Sequence, residues 1–149
     1  MRILKALFVF GAVCTLALTT GCASVQKASP PDDTAAKTFK SNPDYSQVYV
    51  YRNETLGAAL SMPVTVNGKL AGNTGPKSYF KFNLPAGKHA FTSQGNKSTL
   101  NLTTENGKIY YIWQEVKMGV MSGGSELQVV DQSVGQKGVK QCALIKANF

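Results

Sequence analysis

The segment Tyr79–Thr92, YFKFNLPAGKHAFT, is the part of this chain that most clearly predicts its fold. In its first half every second residue is apolar, namely Phe80, Phe82 and Leu84, as in a β-strand with one buried face. Pro85-Ala86-Gly87 is typical of a turn, and the chain resumes with a second strand-like run. The segment therefore predicts two successive strands joined by a turn.

The same pattern extends in both directions from this segment. Runs rich in Val, Tyr, Phe, Ile and Thr alternate with Gly, Asn and Pro, and no helical periodicity lasts three turns. Asn67-Gly68 is a strong signal for a two-residue hairpin. The predicted strands are 47–52, 62–66, 69–72, 79–84, 88–92, 98–103, 109–116 and 126–130, of which 109–116 is the longest and is expected to be central. Val139–Ile145 is a further strand or a short helix. The fold class predicted is all-β, a single antiparallel sandwich of about eight strands.

The N-terminus predicts export from the cytoplasm. Arg2 and Lys5 precede an apolar run, Ala6–Leu18, that has the length of a signal-peptide core and is shorter than the ~20 residues of a membrane-spanning helix. The run ends at Gly21-Cys22, which is typical of a lipoprotein precursor, although Thr19 stands where an aliphatic residue is usual. We interpret 1–21 as a lipoprotein signal peptide and Cys22 as the lipidated residue. A short transmembrane anchor and an ordinary secretory leader are the alternatives.

Lipidation at Cys22 would fix the location of the protein. Acyl chains anchor a protein to a bilayer through buried methylene groups, and two or three chains hold it stably. Because Ala23 rather than Asp follows the cysteine, the expected location in a Gram-negative cell is the periplasmic face of the outer membrane. Residues 22–44, with Pro and Ser among small polar residues, are interpreted as the lipidated N-terminus and a flexible tether, and 45–149 as the sandwich domain.

Charge and cysteine content limit the functions open to the domain. The formal net charge is +8, but the lysines are scattered and form no run of the kind that binds nucleic acid. A lysine-biased soluble surface, or attraction to anionic lipid or wall polymer, accounts for the excess. Cys14 leaves with the leader and Cys22 is acylated, so Cys142 has no partner for an intramolecular disulfide. A buried structural thiol is the leading interpretation of Cys142, and a mixed disulfide or a catalytic thiol the alternatives.

Several of these motifs occur together in a known family. They are Val48–Glu54, Val66-Asn67-Gly68-Lys69, Leu84–His89 and Gly107–Tyr111. In this order they resemble the DUF2846 family of bacterial envelope lipoproteins, over about residues 35–145, and the middle part is similar to a PEGA-type β-module. The resemblance implies an immunoglobulin-like or PEGA-like β-sandwich on a lipid anchor. It implies no catalytic activity.

The side chains favour binding over catalysis. His89 is the single histidine, so no site with several histidine ligands exists, and no cofactor or metal is expected. Aromatic residues on strands, if they face outward beside lysines, can stack on sugar rings or accept a peptide. The candidate binding residues are Tyr79, Lys81, Tyr110 and Trp113.

These observations predict a non-catalytic interaction or structural module, held in the periplasm by its lipid. The expected partners are the membrane and a cell-envelope protein or glycan, with nucleic acid excluded. A module that binds peptidoglycan or lipopolysaccharide is the first alternative. A thiol-dependent enzyme using Cys142 is the second.

Overall fold

The computed structural model describes residues 25–94, 99–119 and 123–149. Within these ranges the strands are β1 Ser46–Arg52, β2 Met62–Val66, β3 Lys69–Thr74, β4 Ser78–Leu84, β5 Gly87–Thr92, β6 Thr99–Thr104, β7 Ile109–Met118, β8 Gly123–Val130 and β9 Ala143–Leu144. The helices of the same ranges are α1 Pro30–Ala36 and α2 Gln132–Lys140. The predicted signal peptide and Cys22 lie outside the described residues.

The strands form a sandwich of two sheets, which confirms the predicted fold class. One sheet has five strands in the order β8-β7-β1-β4-β9, and the other has four in the order β3-β2-β5-β6. The smaller sheet is antiparallel, whereas the larger is mixed, because β1 pairs in parallel with β7 and β4 in parallel with β9. β7 is the longest strand and lies inside its sheet, as predicted. The turn between β2 and β3 is Asn67-Gly68, with φ values of 51° and 81°, as the sequence indicated.

The main core lies between the sheets. Phe80 and Phe82 point into it, as their alternation predicts, and Phe82 contacts Phe91 of the opposite sheet with ring centroids 6.3 Å apart. Leu100 and Leu102 pack against the same cluster from β6. The core is closed mainly by β-branched and aromatic side chains, which suit the pleated surfaces of two facing sheets.

The outer face of the five-stranded sheet is also buried, which makes a third layer. Four tyrosines lie on this face and are covered by the helices: Tyr49, Tyr51, Tyr79 and Tyr111. Tyr49 stacks against Tyr111 at 5.4 Å and Tyr79 at 6.0 Å, and its hydroxyl donates to the carbonyl of Ala36 in α1. Both faces of β1 are therefore buried, and all seven of its residues are inaccessible.

The segment Val139–Ile145 contains the end of α2 and β9, so it is neither a single strand nor a single helix. Asp131 caps α2, because its carboxylate accepts from the backbone N–H of Val134. The helix packs through Gly135 and Gly138 onto the tyrosine face, where an added Cβ would overlap the rings of Tyr111 and Tyr51 respectively. Helical glycines at this spacing permit the close approach, and they also weaken the sequence signal for a helix.

The predicted tether requires a correction, because the domain already includes residues from Val25 onward. Lys27 forms a bridge with Ile145, and the N–H of Ala28 donates to the carbonyl of Leu144 at 2.8 Å. α1 then covers part of the tyrosine face. Its start is fixed by Ser29 at the N-cap and by prolines in its first turn. The paired backbone and buried contacts place residues 25–44 in the folded domain rather than in a flexible tether.

Candidate binding cleft

A cleft of about 400 Å³ lies where α2 crosses the ends of β1 and β7. Its lining residues are Tyr51, Asn53, Trp113, Val134, Lys137, Gly138 and Gln141. We call it the α2 cleft. Two aromatic side chains, two amides and one lysine converge in it, which is the mixture of apolar surface and few polar groups that small-ligand sites show.

The strand pairing sets the aromatic floor of the α2 cleft. β1 and β7 are parallel neighbours in a register that places Tyr51 directly beside Trp113. Side chains of paired residues lie on the same face of a sheet, so both rings face α2. Gly138 allows the helix to approach the ring of Tyr51.

The polar groups of the α2 cleft lie on its rim. The side-chain amide of Asn53, just after β1, donates to Oε1 of Gln141 at 3.0 Å and so closes one end. Lys137, one turn earlier on α2, is exposed. The half-buried ring of Trp113 can stack on a sugar ring, while the amides and the lysine can hydrogen-bond its hydroxyls and attract an anionic substituent. The lining contains no carboxylate, thiol or imidazole that could act as a general acid, base or nucleophile.

A buried arginine supports the loop beside the cleft. Arg52 is fully buried, and its guanidinium donates to the carbonyls of Leu60 at 2.7 Å and Gly57 at 2.8 Å. Burial lowers the pKa of Arg52, against the attraction of Glu54. Burial raises the pKa of Glu54 itself. The nearby indole N–H of Trp113 lowers the pKa of Glu54 and so offsets part of that rise. The indole nitrogen and the carboxylate oxygens of Glu54 do not form a hydrogen bond.

The four predicted binding residues do not form one surface. Tyr79 is fully buried and donates its hydroxyl to Asp33 at 2.8 Å. Lys81 is partly buried with its ammonium 5.9 Å from the ring centroid of Tyr49, and desolvation lowers its pKa. Tyr110 faces the other way, toward the main core.

Of the four, only Trp113 lines the α2 cleft. Tyr110 instead borders a separate cleft of about 440 Å³ near the start of β7. Its hydroxyl oxygen accepts from the backbone N–H of Glu105 at 3.0 Å.

The sequence did not point to the residues that complete the α2 cleft, namely Asn53, Lys137 and Gln141. Each belongs to α2 or contacts it, and α2 itself was not predicted as a helix. The signal that was available is the N-cap sequence Asp131-Gln132-Ser133, since aspartate two or three residues before an apolar position commonly starts a helix.

Cys142 and His89, the two side chains with the greatest chemical reactivity, are both buried and hydrogen-bonded. Cys142 is buried, as predicted, with its thiol near the carbonyls of Gly138 at 3.3 Å and Arg52 at 3.4 Å. Burial raises the pKa of this thiol to about 12. His89 is also buried, between the amide nitrogen of Asn67 at Nδ1 and the carbonyl of Pro85 at Nε2.

The residues that the structure describes contain neither a cluster of metal ligands nor a membrane-spanning helix. No group of three or more His, Cys, Asp or Glu side chains in 25–94, 99–119 and 123–149 is close enough together to hold a metal ion. Neither of the helices within these ranges has the length and apolar character needed to cross a bilayer.

Comparison with known proteins identifies the family. The family model described as "Protein of unknown function (DUF2846)" matches residues 42–125. The chain belongs to the DUF2846 family. A DUF2846 assignment agrees with the resemblance noted from the sequence motifs, and its matched range covers β1 to the start of β8.

A curated relative extends the similarity beyond that range. The chain is 33% identical over 141 residues to an uncharacterized protein of Haemophilus influenzae, which covers 92% of this chain and 84% of the relative. No solved structure matches the chain. The floor of the α2 cleft lies inside the DUF2846 match, whereas α2 itself follows it.

Proposed function

We propose that this protein is a non-catalytic interaction or structural module of the bacterial envelope, held in the periplasm by lipid on Cys22. The leader and the Gly21-Cys22 pair support the anchor. Ala23 after the cysteine supports sorting to the inner face of the outer membrane. The cell envelope then supplies the partners, a membrane together with an envelope protein or glycan.

One observation carries the choice of binding over catalysis. The reactive side chains Cys142 and His89 are buried and hydrogen-bonded within the fold. The open α2 cleft is instead lined by aromatic, amide and lysine side chains. Such a lining recognises shape, hydroxyl groups and charge. It offers no proton-transfer pair of the kind that hydrolysis or group transfer requires.

Site-specific photo-crosslinking in intact cells tests the proposal. A photoreactive residue at Gln141, on the rim of the α2 cleft, is compared with one at Lys88, which is exposed on β5 in the other sheet. The expected result is a discrete adduct at position 141 that is absent at 88 and is lost in Lys137→Glu. Adducts of equal yield at both positions would remove the α2 cleft from the proposal. Turnover of an envelope substrate by the purified protein would overturn the non-catalytic role.

A carbohydrate-binding module is the second candidate. The specific observation that favours it is Trp113 in the α2 cleft with Lys137 on the rim, since aromatic faces stack on sugar rings and lysine attracts the acidic groups of envelope glycans. The test is retention on peptidoglycan and on lipopolysaccharide. We expect Trp113→Ala and Lys137→Ala to reduce retention at least tenfold, and Lys88→Ala to leave it unchanged. No retention, or equal retention by all variants, excludes this function.

A thiol-dependent enzyme is the remaining alternative. It would need Cys142 as a thiolate within reach of substrate. The buried position and raised pKa of this thiol weigh against it.

A further inference from the structure

The two ends of the described chain meet at one edge of the sandwich. The N–H of Lys146 donates to the carbonyl of Gln26 at 3.0 Å, and the N–H of Asn148 donates to the carbonyl of Ala71 at 2.8 Å. The C-terminal tail therefore runs from β9, the last strand of one sheet, to β3, the last strand of the other. We call this the terminal edge, and define it by Val25, Lys27, Lys69, Leu70, Lys146 and Phe149.

The terminal edge exposes large apolar side chains. Phe149 is 52% exposed and Leu70 is 49% exposed. Phe149 stacks on Phe82 of the main core with centroids 6.0 Å apart, so its ring is held in place although one side is open. Val25, Leu70 and Lys146 line a shared cleft of about 270 Å³.

The charge of the terminal edge is positive. The ammonium of Lys69 lies 5.2 Å from the ring centroid of Phe149, and Lys146 and Lys27 are exposed nearby. None of these three lysines takes part in a salt bridge with a described residue, and the lining of the shared cleft contains no acidic side chain. Lysines at the surface of an anionic bilayer are attracted to its head groups.

The position of Val25 limits how far this edge can lie from a lipid on Cys22. Three residue steps separate Cys22 from Val25, and an extended chain spans at most ~3.6 Å per residue, or about 11 Å in total. A tether reaching residue 44 would have allowed a much larger separation. With a lipid on Cys22, the early start of the folded domain would hold Val25 within about 11 Å of the attachment point.

We propose that the terminal edge rests on the bilayer, with Phe149 and Leu70 entering the interfacial layer and Lys27, Lys69 and Lys146 contacting anionic head groups. This inference rests on the proposed lipid anchor at Cys22. It adds a fixed orientation to that anchor, because two apolar contacts and three cations oppose rotation of the domain about a single attachment point. Val129 of β8 then faces away, since β8 and β9 are the opposite edges of the five-stranded sheet.

Depth-dependent fluorescence quenching in the lipidated full chain tests the orientation. In a Trp113→Phe background, Phe149→Trp reports on the terminal edge, and Val129→Trp, at a position that is 49% exposed, is the matched control. The protein is reconstituted in vesicles of phosphatidylethanolamine and phosphatidylglycerol with brominated acyl chains. We expect quenching at position 149 to exceed that at 129 at least threefold, and Lys69→Glu with Lys146→Glu to reduce the difference.

Each other result overturns the inference. Equal quenching, or none, at both positions shows that the domain has no preferred face toward the bilayer. A blue shift at position 149 that depends on protein concentration and persists without lipid shows that a second copy of the chain covers this edge instead. Palmitate incorporation, compared between the wild type and Cys22→Ser, is measured separately. Its absence refutes the anchor, whereas incorporation without selective quenching refutes only the orientation.

Discussion

Asp33 and Leu144 join the two ends of the domain, although 111 positions separate them in the sequence. Oδ1 of Asp33 accepts the backbone N–H of Leu144 at 2.9 Å and the hydroxyl of Tyr79 at 2.8 Å, while Oδ2 accepts the ammonium of Lys37 at 2.7 Å. One carboxylate therefore ties α1 to β9 and β4. These bonds explain why the N-terminal segment belongs to the folded domain.

Because of Asp33, the stability of the protein should decrease at acidic pH. Burial alone would raise its pKa, but the bonds from Lys37, Leu144 and Tyr79 outweigh that effect and hold the pKa below the ordinary 3.8. The unfolded state then binds the proton more tightly, so this stabilisation is complete above pH ~4 and is lost as pH falls through the folded-state pKa. We expect Asp33→Asn to lower the free energy of unfolding by about 1–2 kcal/mol at pH 7, because a charge-assisted network is lost.

The measurement is denaturant unfolding of both proteins between pH 2.5 and 7. The difference between wild type and Asp33→Asn should shrink toward the acidic end. Asp44→Asn, at an exposed position before β1, is the control and should leave the pH profile unchanged. A constant difference at every pH would show that the Asp33 carboxylate is not the titrating group.

The sequence was sufficient to predict the structure where a strand buries only one face. The alternation of Phe80 and Phe82 identified the inner face of β4, and Asn67-Gly68 identified the turn after β2. Both signals are local, since the first depends on the two-residue period of a strand and the second on positive φ at adjacent positions.

The binding residues were predicted on the assumption of an exposed outer face, and this failed because both faces of the larger sheet are buried. Tyr79 was assigned to a binding surface because it lies opposite Phe80, yet the side opposite the core is covered by α1. The covering helices carry weak signals, because α2 uses two glycines to approach the tyrosines and α1 is a short helix begun by prolines. Trp113, one of the predicted binding residues, lines the α2 cleft, whereas its neighbours Lys137 and Gln141 depend on α2.

Replacing either glycine of α2 by alanine should destabilise the protein, although alanine usually stabilises a helix relative to glycine. Alanine in a helix is favoured over glycine by ~1 kcal/mol, but a Cβ at Gly135 would overlap Cγ and Cβ of Tyr111, and one at Gly138 would overlap the outer ring atoms of Tyr51. Overpacking costs about 1–3 kcal/mol. Because the outer ring of Tyr51 can move more easily than the base of Tyr111, Gly135→Ala should be the more destabilising.

Thermal unfolding of the two variants beside Lys137→Ala provides the measurement. Lys137 is exposed on the same helix, so its replacement should be neutral within about 0.5 kcal/mol. Gly138→Ala should in addition narrow the α2 cleft and change the fluorescence of Trp113. Stabilisation by either glycine substitution would show that α2 does not lie against the tyrosines as described.

Cys142 should be nearly inert in the folded protein. Burial raises the pKa of its thiol to about 12, so the thiolate fraction at pH 8 is roughly a thousandfold below that of an exposed cysteine. In a chain whose Cys14 and Cys22 are replaced by serine, maleimide labelling should be slow until the protein is unfolded. Val134→Cys in a Cys142→Ser background provides an exposed thiol on α2 for comparison. Comparable labelling rates for the two thiols would restore the thiol-enzyme alternative.

The Asn67–His89 contact should stabilise the hairpin of β2 and β3 against β5. The side-chain amide of Asn67 donates to Nδ1 of His89 at 2.9 Å, and its Oδ1 accepts the N–H of Ala90 at 2.9 Å. The imidazole must then carry its proton on Nε2, which donates to the carbonyl of Pro85 at 2.8 Å. Asn67→Ala removes both bonds and places a residue that disfavours positive φ in the turn, so it should cost about 2–4 kcal/mol.

Two variants distinguish the stability contributed by the turn conformation from that contributed by the Asn67–His89 contact. Asn67→Gly keeps the turn conformation and loses only the side-chain bonds, so it should cost about half as much as Asn67→Ala. Asn106→Ala, which removes the acceptor for the N–H of Ala86 on the neighbouring turn, is a control that leaves His89 intact. Nitrogen NMR of the ring should report the Nε2–H tautomer in the wild type and a tautomer mixture in Asn67→Gly. Equal stability of Asn67→Gly and wild type would mean that the turn alone, and not the contact with His89, fixes this corner of the sandwich.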